Sequence, residues 1–577
     1  MKEYTRKRWE ISPKQMVDEK NICKELGISP LTARLLQNRG ILTFDQAKRF
    51  LSPTLADLPD PFLMSGMEKA VTRITSAILA KEKITIYGDY DVDGITATAL
   101  LFLFLKEAEA IVDFWLPLRL EEGYGLNIKK VQKIKAEGTK LLVTVDCGIS
   151  NREEVIWAQN NGLDVVITDH HEVPEEIPPA LAVLNPKQKN CPYPFKSLAG
   201  VGVAFNLALA LRSNLRRIGY WKNQGGPNLK EYLDLVALGT ISDVVPLTGT
   251  NRILAKFGLS QITRSTRPGI SALKEIAGLG DRPVDTPEIH FRLAPRINAA
   301  GRLGDAHAVV RLFISQDEPE ARLIATHLDE LNSKRQRIEE KTLAEAREMI
   351  GSFMAEGDRK SFVLASADWH PGVIGIVAAR LAEEYQRPTI LIALAKDMGK
   401  GSGRSLDSFS IYQGLHLCQN WIEKFGGHEQ AAGLVIRSEQ VSGFSQAFEE
   451  IVRSCSPVRD SIPRLFIDSF AQLDQMDESF FEDLRSLAPF GLGNPEPVIG
   501  IENVAVLDSK LVGKGHIRYL IRDDFMTREA IGFGLASRPP PLQKRMKMAL
   551  TPQINFFRGK RILQFKVVDL QPITLNL

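Results

Sequence analysis

The sequence predicts an α/β protein made of a doubly wound parallel-sheet lobe, a second α/β lobe joined to it by a long helix, and a small C-terminal β-barrel. Three observations support this prediction. Short β-rich runs alternate with helical patterns from Lys83 onward, a highly charged helical stretch follows them, and several short β-type runs close the chain. Such alternation of strands and helices is typical of a parallel sheet.

Bulk properties narrow the class of protein. A chain of 577 residues is too long for one core, and its 44% hydrophobic and 25% charged residues are those of an ordinary globular protein. The longest apolar stretch, 95–105, is too short to span a bilayer, and the N-terminus lacks a secretory core. Five cysteines without a C-x-x-C pair favour a reducing compartment. We therefore expect a cytoplasmic protein with no membrane partner and no structural zinc.

The elements follow in order along the chain. A polar helical cap, in which Ser29 and Pro30 start a helix, precedes the predicted strands "KITIYG", "AIVDFWLPL", "KLLVTVD" and "DVVITD". A charged helix is predicted over 318–350, and the second lobe contains "SFVLAS" and "RPTILIAL". The predicted domains are a cap (1–45), a first α/β domain (46–315), a bridging helix (316–350), a second α/β domain (351–457) and a barrel domain (458–577).

The C-terminal region combines short strands with positive charge. From residue 501 to 577 there are 13 Lys and Arg against 6 Asp and Glu, a net +7 in a chain whose total is only +3. Runs such as "HIRYLIR" and "REAIGFG" predict a small barrel like the OB-fold. A basic face of this kind is either simply solvated or binds nucleic acid.

Acidic residues stand where predicted strands end. Asp89, Asp91 and Asp93 follow the predicted strand "KITIYG", Asp146 closes "KLLVTVD", and Asp169 closes "DVVITD". Parallel sheets bind ligands at the carboxyl ends of their strands, so these side chains can converge on one crevice. A capping turn is the simpler interpretation of the first cluster. A calcium loop is disfavoured because no Glu stands at the twelfth position.

Two histidines extend this acidic set. His170 and His171 follow Asp169 directly, where a solvated turn before Pro174 is the alternative interpretation. Carboxylates with imidazole suit Mn²⁺ or Mg²⁺, and imidazole favours Mn²⁺. Two such ions are the usual device for attacking a phosphoester.

Five ordered motifs identify a family. "DYDVDG", "TVDCGIS", "TDHH", "SDVVPL" and "GGHEQAAG" resemble the DHH phosphoesterase family, and most closely its bacterial single-strand-specific exonucleases. The similarity runs from about Leu31 to near Gly433, with a second lobe of the DHHA1 type, and the C-terminal part matches in layout only.

The resemblance implies roles for the acidic and imidazole residues. These are Asp91 and Asp93 as ligands of two separate metals, Asp146 as bridging ligand, His170 and Asp243 as remaining ligands of the second metal, His171 as contact to the scissile phosphate, and Asp89 and Asp169 as residues that orient ligands. The metals are expected to be two Mn²⁺ ions, with Mg²⁺ as the alternative.

Phosphate and strand binding are expected from the segments "APRINAAGR", "GSGRS" and "GGH". Arg302, Arg404 and His428 are implied as catalytic residues beside Asp146 and His171. Arg296, Asn298, Ser402 and Ser405 are implied to bind substrate. Arginine offers a planar fork to phosphate, and glycine lets the backbone approach it closely. A surface ion pair is the simpler interpretation of each arginine, above all of Arg296.

The resulting hypothesis is a single-stranded-DNA exonuclease that releases mononucleotides by two-metal hydrolysis in DNA repair and recombination. Its 5′ to 3′ polarity rests on the resemblance alone. We expect a monomer that binds single-stranded DNA, with a single-strand-binding protein and a helicase as candidate partners. The alternatives are a hydrolase of short oligonucleotides or small nucleotide phosphates, which leaves the barrel without a purpose, and a non-catalytic strand-binding relative, which would have lost the acidic ligands.

Overall fold

The computed structural model describes residues 7–12, 19–119, 121–222, 225–406, 409–455, 464–513, 515–536, 545–557 and 560–573. The chain forms two compact units. One comprises Pro61–Asp243 and Gly258–Asp460, and the other comprises Met1–Asp60, Val244–Phe257 and Ser461–Leu577. Within the described ranges, no helix is long and apolar enough to cross a membrane.

The strands of the described residues are β1 (Arg8–Ile11), β2 (Lys83–Gly88), β3 (Ile111–Trp115), β4 (Leu141–Val145), β5 (Asp164–Thr168), β6 (Ala182–Leu184), β7 (Phe362–Ser366), β8 (Thr389–Ala395), β9 (Met398–Arg404), β10 (Lys424–Gly427), β11 (Ala431–Arg437), β12 (Arg464–Ile467), β13 (Ser469–Phe470), β14 (Ile499–Val512), β15 (His516–Arg522), β16 (Thr527–Gly532), β17 (Arg545–Phe557) and β18 (Lys560–Pro572).

The helices are α1 (Glu19–Leu26), α2 (Pro30–Asn38), α3 (Phe44–Leu51), α4 (Met67–Leu79), α5 (Val92–Glu107), α6 (Ile128–Ala136), α7 (Arg152–Asn160), α8 (Gly200–Arg217), α9 (Leu233–Ser242), α10 (Gly249–Thr263), α11 (Pro268–Ile276), α12 (Thr286–Glu288), α13 (Ala294–Leu303), α14 (His307–Ile314), α15 (Glu318–Glu356), α16 (Ile374–Tyr385), α17 (Ile411–Leu417), α18 (Val441–Cys455) and α19 (Glu478–Leu487).

The first lobe contains the predicted parallel sheet, which is confirmed. Its order is β3-β2-β4-β5-β6, and every pair is parallel. All five residues of β4 are buried, which explains its continuous apolar run. The chain adds β3 on one side of β2 and β4 on the other, so the switch point of the topology lies between β2 and β4. Ligands bind at such switch points in open α/β sheets.

Helix α15 joins the two lobes of this unit. Near its start, Ala321, Ala325 and Leu328 are fully buried, on a helix that packs against α11 and α13 of the first lobe. Further along, Ala346 and Ile350 belong to the core of the second lobe. The two halves therefore bury different faces, which accounts for the irregular apolar stripe of this helix.

The second lobe has a mixed sheet in the order β10-β11-β9-β8-β7. The glycine-rich segment is itself strand β9, in which glycines alternate with Lys400, Ser402 and Arg404. A Cβ atom on any of these glycines would lie 2.4–2.7 Å from an apolar side chain: Gly399 from Ile392, Gly401 from Leu434 and Gly403 from Ile411. These three glycines therefore serve strand packing, and a close approach of this backbone to a phosphate stays a prediction.

The predicted OB-like barrel is confirmed in the other unit. Strands β14, β15, β16, β18 and β17 pair in this order, and β14 also pairs with β17, which closes the barrel. Leu35, Leu36 and Ala47 of the N-terminal helices belong to the same hydrophobic core. The division into five domains stays a prediction, and its boundary between 457 and 458 lies outside the described residues.

Candidate metal centre and active site

The acidic residues lie at the carboxyl ends of three adjacent strands. Asp89, Asp146 and Asp169 directly follow β2, β4 and β5. The registers pair Gly88 with Val145 and Val145 with Thr168, so these strands end level with one another. The topology thereby brings together residues that are 80 positions apart in sequence.

A first set of ligand atoms comes from Asp89, Asp91 and Asp146, one from each residue, all within 4.8 Å of one another. Asp91 also caps helix α5, because its Oδ1 accepts hydrogen bonds from Asp93 N at 2.9 Å and Gly94 N at 3.1 Å. The structure thus places Asp89 among the candidate ligands themselves, whereas the resemblance implied that it stands behind them.

Asp146 adopts a strained backbone conformation. Its φ of 59° lies in the left-handed region, which a non-glycine residue occupies only when its surroundings enforce it. Its backbone N–H donates to Thr168 O at 3.0 Å, which extends the β4–β5 ladder by one residue. The left-handed backbone conformation therefore determines the direction of the Asp146 carboxylate at the edge of the sheet.

A second set of ligand atoms comes from Asp93, His170 and Asp243, again within 4.8 Å of one another. His170 Nε2 lies 3.1 Å from Asp146 Oδ1, 3.6 Å from Asp243 Oδ2 and 3.9 Å from Asp93 Oδ2. Asp146 therefore lies between the two sets, which is the position that a bridging ligand requires.

The start of helix α8 fixes Asp93. Gly200 N donates to Asp93 Oδ2 at 2.6 Å, and Val201 N donates to Oδ1 at 2.9 Å. A Cβ atom on Gly200 would lie 2.6 Å from Asp146 Oδ1, so this position has no room for a side chain. Gly200 was not predicted, because no local pattern shows that a helix 107 residues later meets Asp93.

The centre fits divalent metal ions. Asp89 Oδ1, Asp146 Oδ1, His170 Nε2 and Asp243 Oδ2 are buried and have no hydrogen-bond partner among the residues that the structure describes. Burial, together with neighbouring carboxylates, raises the pKa of Asp243 to about 9 and that of Asp93 to about 7. Buried orphan oxygens and nitrogens are costly unless a cation neutralises them, and carboxylates with imidazole suit Mn²⁺ or Mg²⁺.

The two adjacent histidines have different environments. Burial lowers the pKa of His170 to about 4, so its ring is neutral and can coordinate a metal. Burial would also lower the pKa of His171, but its hydrogen bond to Asp169 outweighs this effect and raises that pKa. His171 Nδ1 lies 2.7 Å from Asp169 Oδ1, and the backbone N–H groups of both histidines donate to the same oxygen. Asp169 thus orients this turn.

Tyr124 is a site residue that the sequence analysis missed. Its hydroxyl lies 3.0 Å from His171 Nδ1 and 3.3 Å from the Asp146 carbonyl oxygen. Asn151 holds this loop through hydrogen bonds with Leu126 N and O at 3.0 and 3.2 Å. The flanking glycines of "GYG" mark a tight loop but do not indicate what the loop contacts.

Four arginines of the same unit, here called the arginine cluster, interact electrostatically: Arg119, Arg302, Arg335 and Arg404. Burial and the charges of the other three lower the pKa of Arg302 to about 10. Arg302 Nη1 donates to Gly372 O at 3.0 Å, which connects the first lobe to the second. Arg404 Nη1 donates to Ser402 Oγ at 3.1 Å and to Gly403 O at 2.8 Å. Arg119 lies over the Tyr90 ring, 5.0 Å from its centroid.

Arg296 is engaged away from this cluster, because its Nε donates to Asp329 Oδ1 at 2.8 Å and its Nη1 to Arg292 O at 2.6 Å. Asn298 is partly buried on α13. In the second lobe, Ser405 N donates to Gln430 O at 2.9 Å. His428 is exposed, and its charge helps to lower the pKa of Glu172 after that of Lys187.

Comparison with family models assigns each region separately. Residues 83–240 match the N-terminal domain of the DHH family, residues 358–454 match the DHHA1 domain, and residues 467–569 match the RecJ OB domain.

Similar proteins cover nearly the whole chain. The single-stranded-DNA-specific exonuclease RecJ of Bacillus subtilis is 39% identical over 97% of this chain and 70% of the relative, and that of Haemophilus influenzae is 37% identical over 94% and 96%. Crystal structures of RecJ from Thermus thermophilus in complex with Mn²⁺ and with Mg²⁺ have TM-scores of 0.83 and 0.78 and identities of 31% and 29%. Both cover 99% of this chain, and 80% and 79% of those chains respectively.

Proposed function

Because this chain belongs to the family of RecJ single-stranded-DNA-specific exonucleases, we propose that it is a metal-dependent exonuclease that removes mononucleotides from the 5′ end of single-stranded DNA. The observation that carries the proposal is the pair of adjacent ligand sets, in which four buried ligand atoms have no hydrogen-bond partner in the part of the chain that the structure describes.

The residues divide between two ion positions. Asp91 with Asp89 would hold one ion, Asp93, His170 and Asp243 the other, and Asp146 would be shared. Divalent ions held there would supply a nucleophilic water at neutral pH and neutralise charge developing on the phosphate. Mn²⁺ is the proposed ion, and Mg²⁺ is the alternative.

His171 is proposed to contact the scissile phosphate. Asp169 fixes its Nδ1, so the opposite ring nitrogen is left for the substrate. The raised pKa of His171 favours the imidazolium form, which donates to a phosphate oxygen. The Tyr124 hydroxyl lies 3.0 Å from the same ring nitrogen, Nδ1, and so helps Asp169 to hold the ring.

The arginine cluster is proposed to bind the strand, with Arg302 and Arg404 at the reacting phosphate. Its guanidinium groups, most of them partly buried, favour an anion between them, and Arg404 donates a hydrogen bond to Ser402. His428 and Ser405 would extend this surface. Asn298 and Arg296 are the weaker candidates, because Arg296 already pairs with Asp329. The 5′ to 3′ polarity rests on family membership.

The barrel is proposed to grip longer strands. Exposed Arg518 and Arg522 alternate with the buried Ile517, Tyr519 and Ile521 on β15, so one face of this strand is basic and the other packs inward. A role in DNA repair and recombination, a cytoplasmic location, a monomeric state, and delivery of substrate by a single-strand-binding protein and a helicase are further parts of this proposal.

The testing experiment follows a long single strand labelled at its 5′ or its 3′ end, with Mn²⁺, against duplex DNA and a dinucleotide. Immediate release of the 5′ label as mononucleotide is expected, only from the single strand. Release of the 3′ label first would overturn the polarity. Cleavage of the dinucleotide alone would favour a small-phosphate hydrolase, and strand binding without cleavage would indicate a non-catalytic protein.

A further inference from the structure

A lysine stands beside the metal centre without a part in the roles described so far. Lys187 lies in the turn after β6, which packs on the backbone of the second histidine: Asn185 Nδ2 donates to His171 O at 2.9 Å, and Asn185 Oδ1 accepts from Lys187 N at 2.9 Å. Asn185 is fully buried, so this turn has a fixed place behind the histidines.

The ammonium group of Lys187 is held at the rim of the centre. Lys187 Nζ lies 2.7 Å from Oε1 of Glu172, the residue that follows His171. The positive charge of Lys187 also acts on the second ligand set. It opposes the rise in the pKa of Asp243, which burial and neighbouring carboxylates cause, and it adds to the lowering of the pKa of His170 by burial.

The pairing with Glu172 is weak enough to be exchanged. The Glu172 side chain is 76% exposed and that of Lys187 is 29% exposed. Ion pairs between such exposed groups contribute about 0–1 kcal/mol, whereas a phosphate oxygen brought to the centre offers a full negative charge in a drier site.

We propose that Lys187 is a further catalytic residue, whose ammonium group leaves Glu172 and binds a phosphate oxygen of the strand beside His171. This inference rests on the proposed exonuclease function. Glu172 keeps the lysine in place when no strand is bound.

The chain supplies a matched control. Lys189 lies two residues further along the same turn and is exposed. K187M and K189M remove the same charge from the same turn, and K187R retains the charge at the first position. A thermal unfolding scan of each variant shows that the fold is intact.

Single-turnover cleavage of a 5′-labelled short single strand with Mn²⁺ is the first measurement. K187M should lower kcat/KM about 10- to 100-fold, as expected for the loss of a charge-assisted hydrogen bond, and K187R should recover most of it. K189M should remain within about twofold of the wild type. Equal rates for K187M and K189M would overturn the proposal, whereas a wild type without cleavage would overturn the proposed function instead.

Binding measurements make the test independent of turnover. Without metal, K187M should lower the salt slope of single-strand binding by about 0.7, the value for one lost phosphate contact, whereas K189M leaves the slope unchanged. Calorimetric Mn²⁺ binding without DNA should be about threefold tighter in K187M, because a repelling charge is removed. An unchanged slope in K187M would contradict the phosphate contact.

A further variant, E172Q, tests whether Lys187 exchanges Glu172 for a phosphate oxygen. E172Q retains Lys187 and removes the carboxylate that competes with the strand. It should bind the short single strand at least as tightly as the wild type. A loss of affinity as large as that of K187M would show that Lys187 works only while paired, and would contradict the exchange.

Discussion

The metal centre collects negative side chains and the arginine cluster collects positive ones in the same compact unit. The two regions differ in how the fold fixes these side chains. The carboxylates lie at strand ends, at the start of helix α5 and at the end of helix α9, and Asp93 is fixed by the backbone N–H groups of α8. The arginines come from separate loops, helices and a strand, and two of them donate to backbone carbonyls. The first arrangement fixes the positions of ligand atoms for chemistry, whereas the second provides a charged surface for binding.

The largest expected effect separates these two roles. Asp146→Ala removes the ligand that lies between both sets, so cleavage should fall by about 10⁴-fold or more, while binding of a single strand stays within about threefold. Rates from a fluorescent strand and affinities from anisotropy measure both. Loss of binding together with cleavage would show that the centre and the cluster do not act separately.

A variant in the arginine cluster should give the reverse pattern. Arg404→Met removes a partly buried guanidinium, so KM should rise about 10- to 100-fold while kcat falls less. Arg437→Met is the control, because Arg437 lies in the same sheet but is exposed and pairs with Glu423. A fall in kcat at constant KM would assign Arg404 to the chemistry alone.

In the absence of metal, the metal centre should make the thermal stability of the protein depend on pH. Burial raises the pKa of Asp243 to about 9, above its value of about 4 in the unfolded chain. The contribution of Asp243 to the free energy of unfolding is therefore greatest at low pH and is lost as pH rises through 9. The Tm in EDTA should fall between pH 5 and 9 by about 3 °C or more, and Asp243→Asn should reduce this fall. A Tm that rises over this range would contradict the description of the centre.

The barrel is expected to contribute the smallest effect. Arg518→Ser with Arg522→Ser removes exposed charge, so the affinity for a long strand should drop a few-fold and its salt slope by about 1.4, while a short strand is unaffected. Deleting the barrel is a poorer test, because Leu35 and Leu36 belong to its core. Equal losses for short and long strands would refute the proposed role of the barrel.

The sequence predicts the metal centre better than its surroundings for a physical reason. Strand ends are visible as apolar runs that stop at Asp89, Asp146 and Asp169, and the parallel topology then brings these residues together. The contacts of Gly200 and Tyr124 arise only from tertiary packing, which leaves no periodicity in the sequence. The resemblance supplied Asp243, which no strand end marks.

The arginine cluster could be predicted only in part. Arg302 and Arg404 lie in segments that resemble family motifs, but Arg119 lies in a loop with no such signal, and Arg335 is one of many charges on α15. The structure buries Arg335 against Asn332 and Glu339, which a helical wheel of charged residues does not indicate. Likewise, the core shared by the N-terminal helices and the barrel joins opposite ends of the chain.

The most direct test of this account is the stoichiometry of Mn²⁺ binding, measured by calorimetry on the wild type and on Asp146→Ala without DNA. The account predicts two ions per wild-type chain, because Asp146 belongs to the first set of ligand atoms and lies beside His170 of the second, and a marked loss of affinity for both in the variant. Two unaffected ions in Asp146→Ala, or no binding by the wild type, would contradict it.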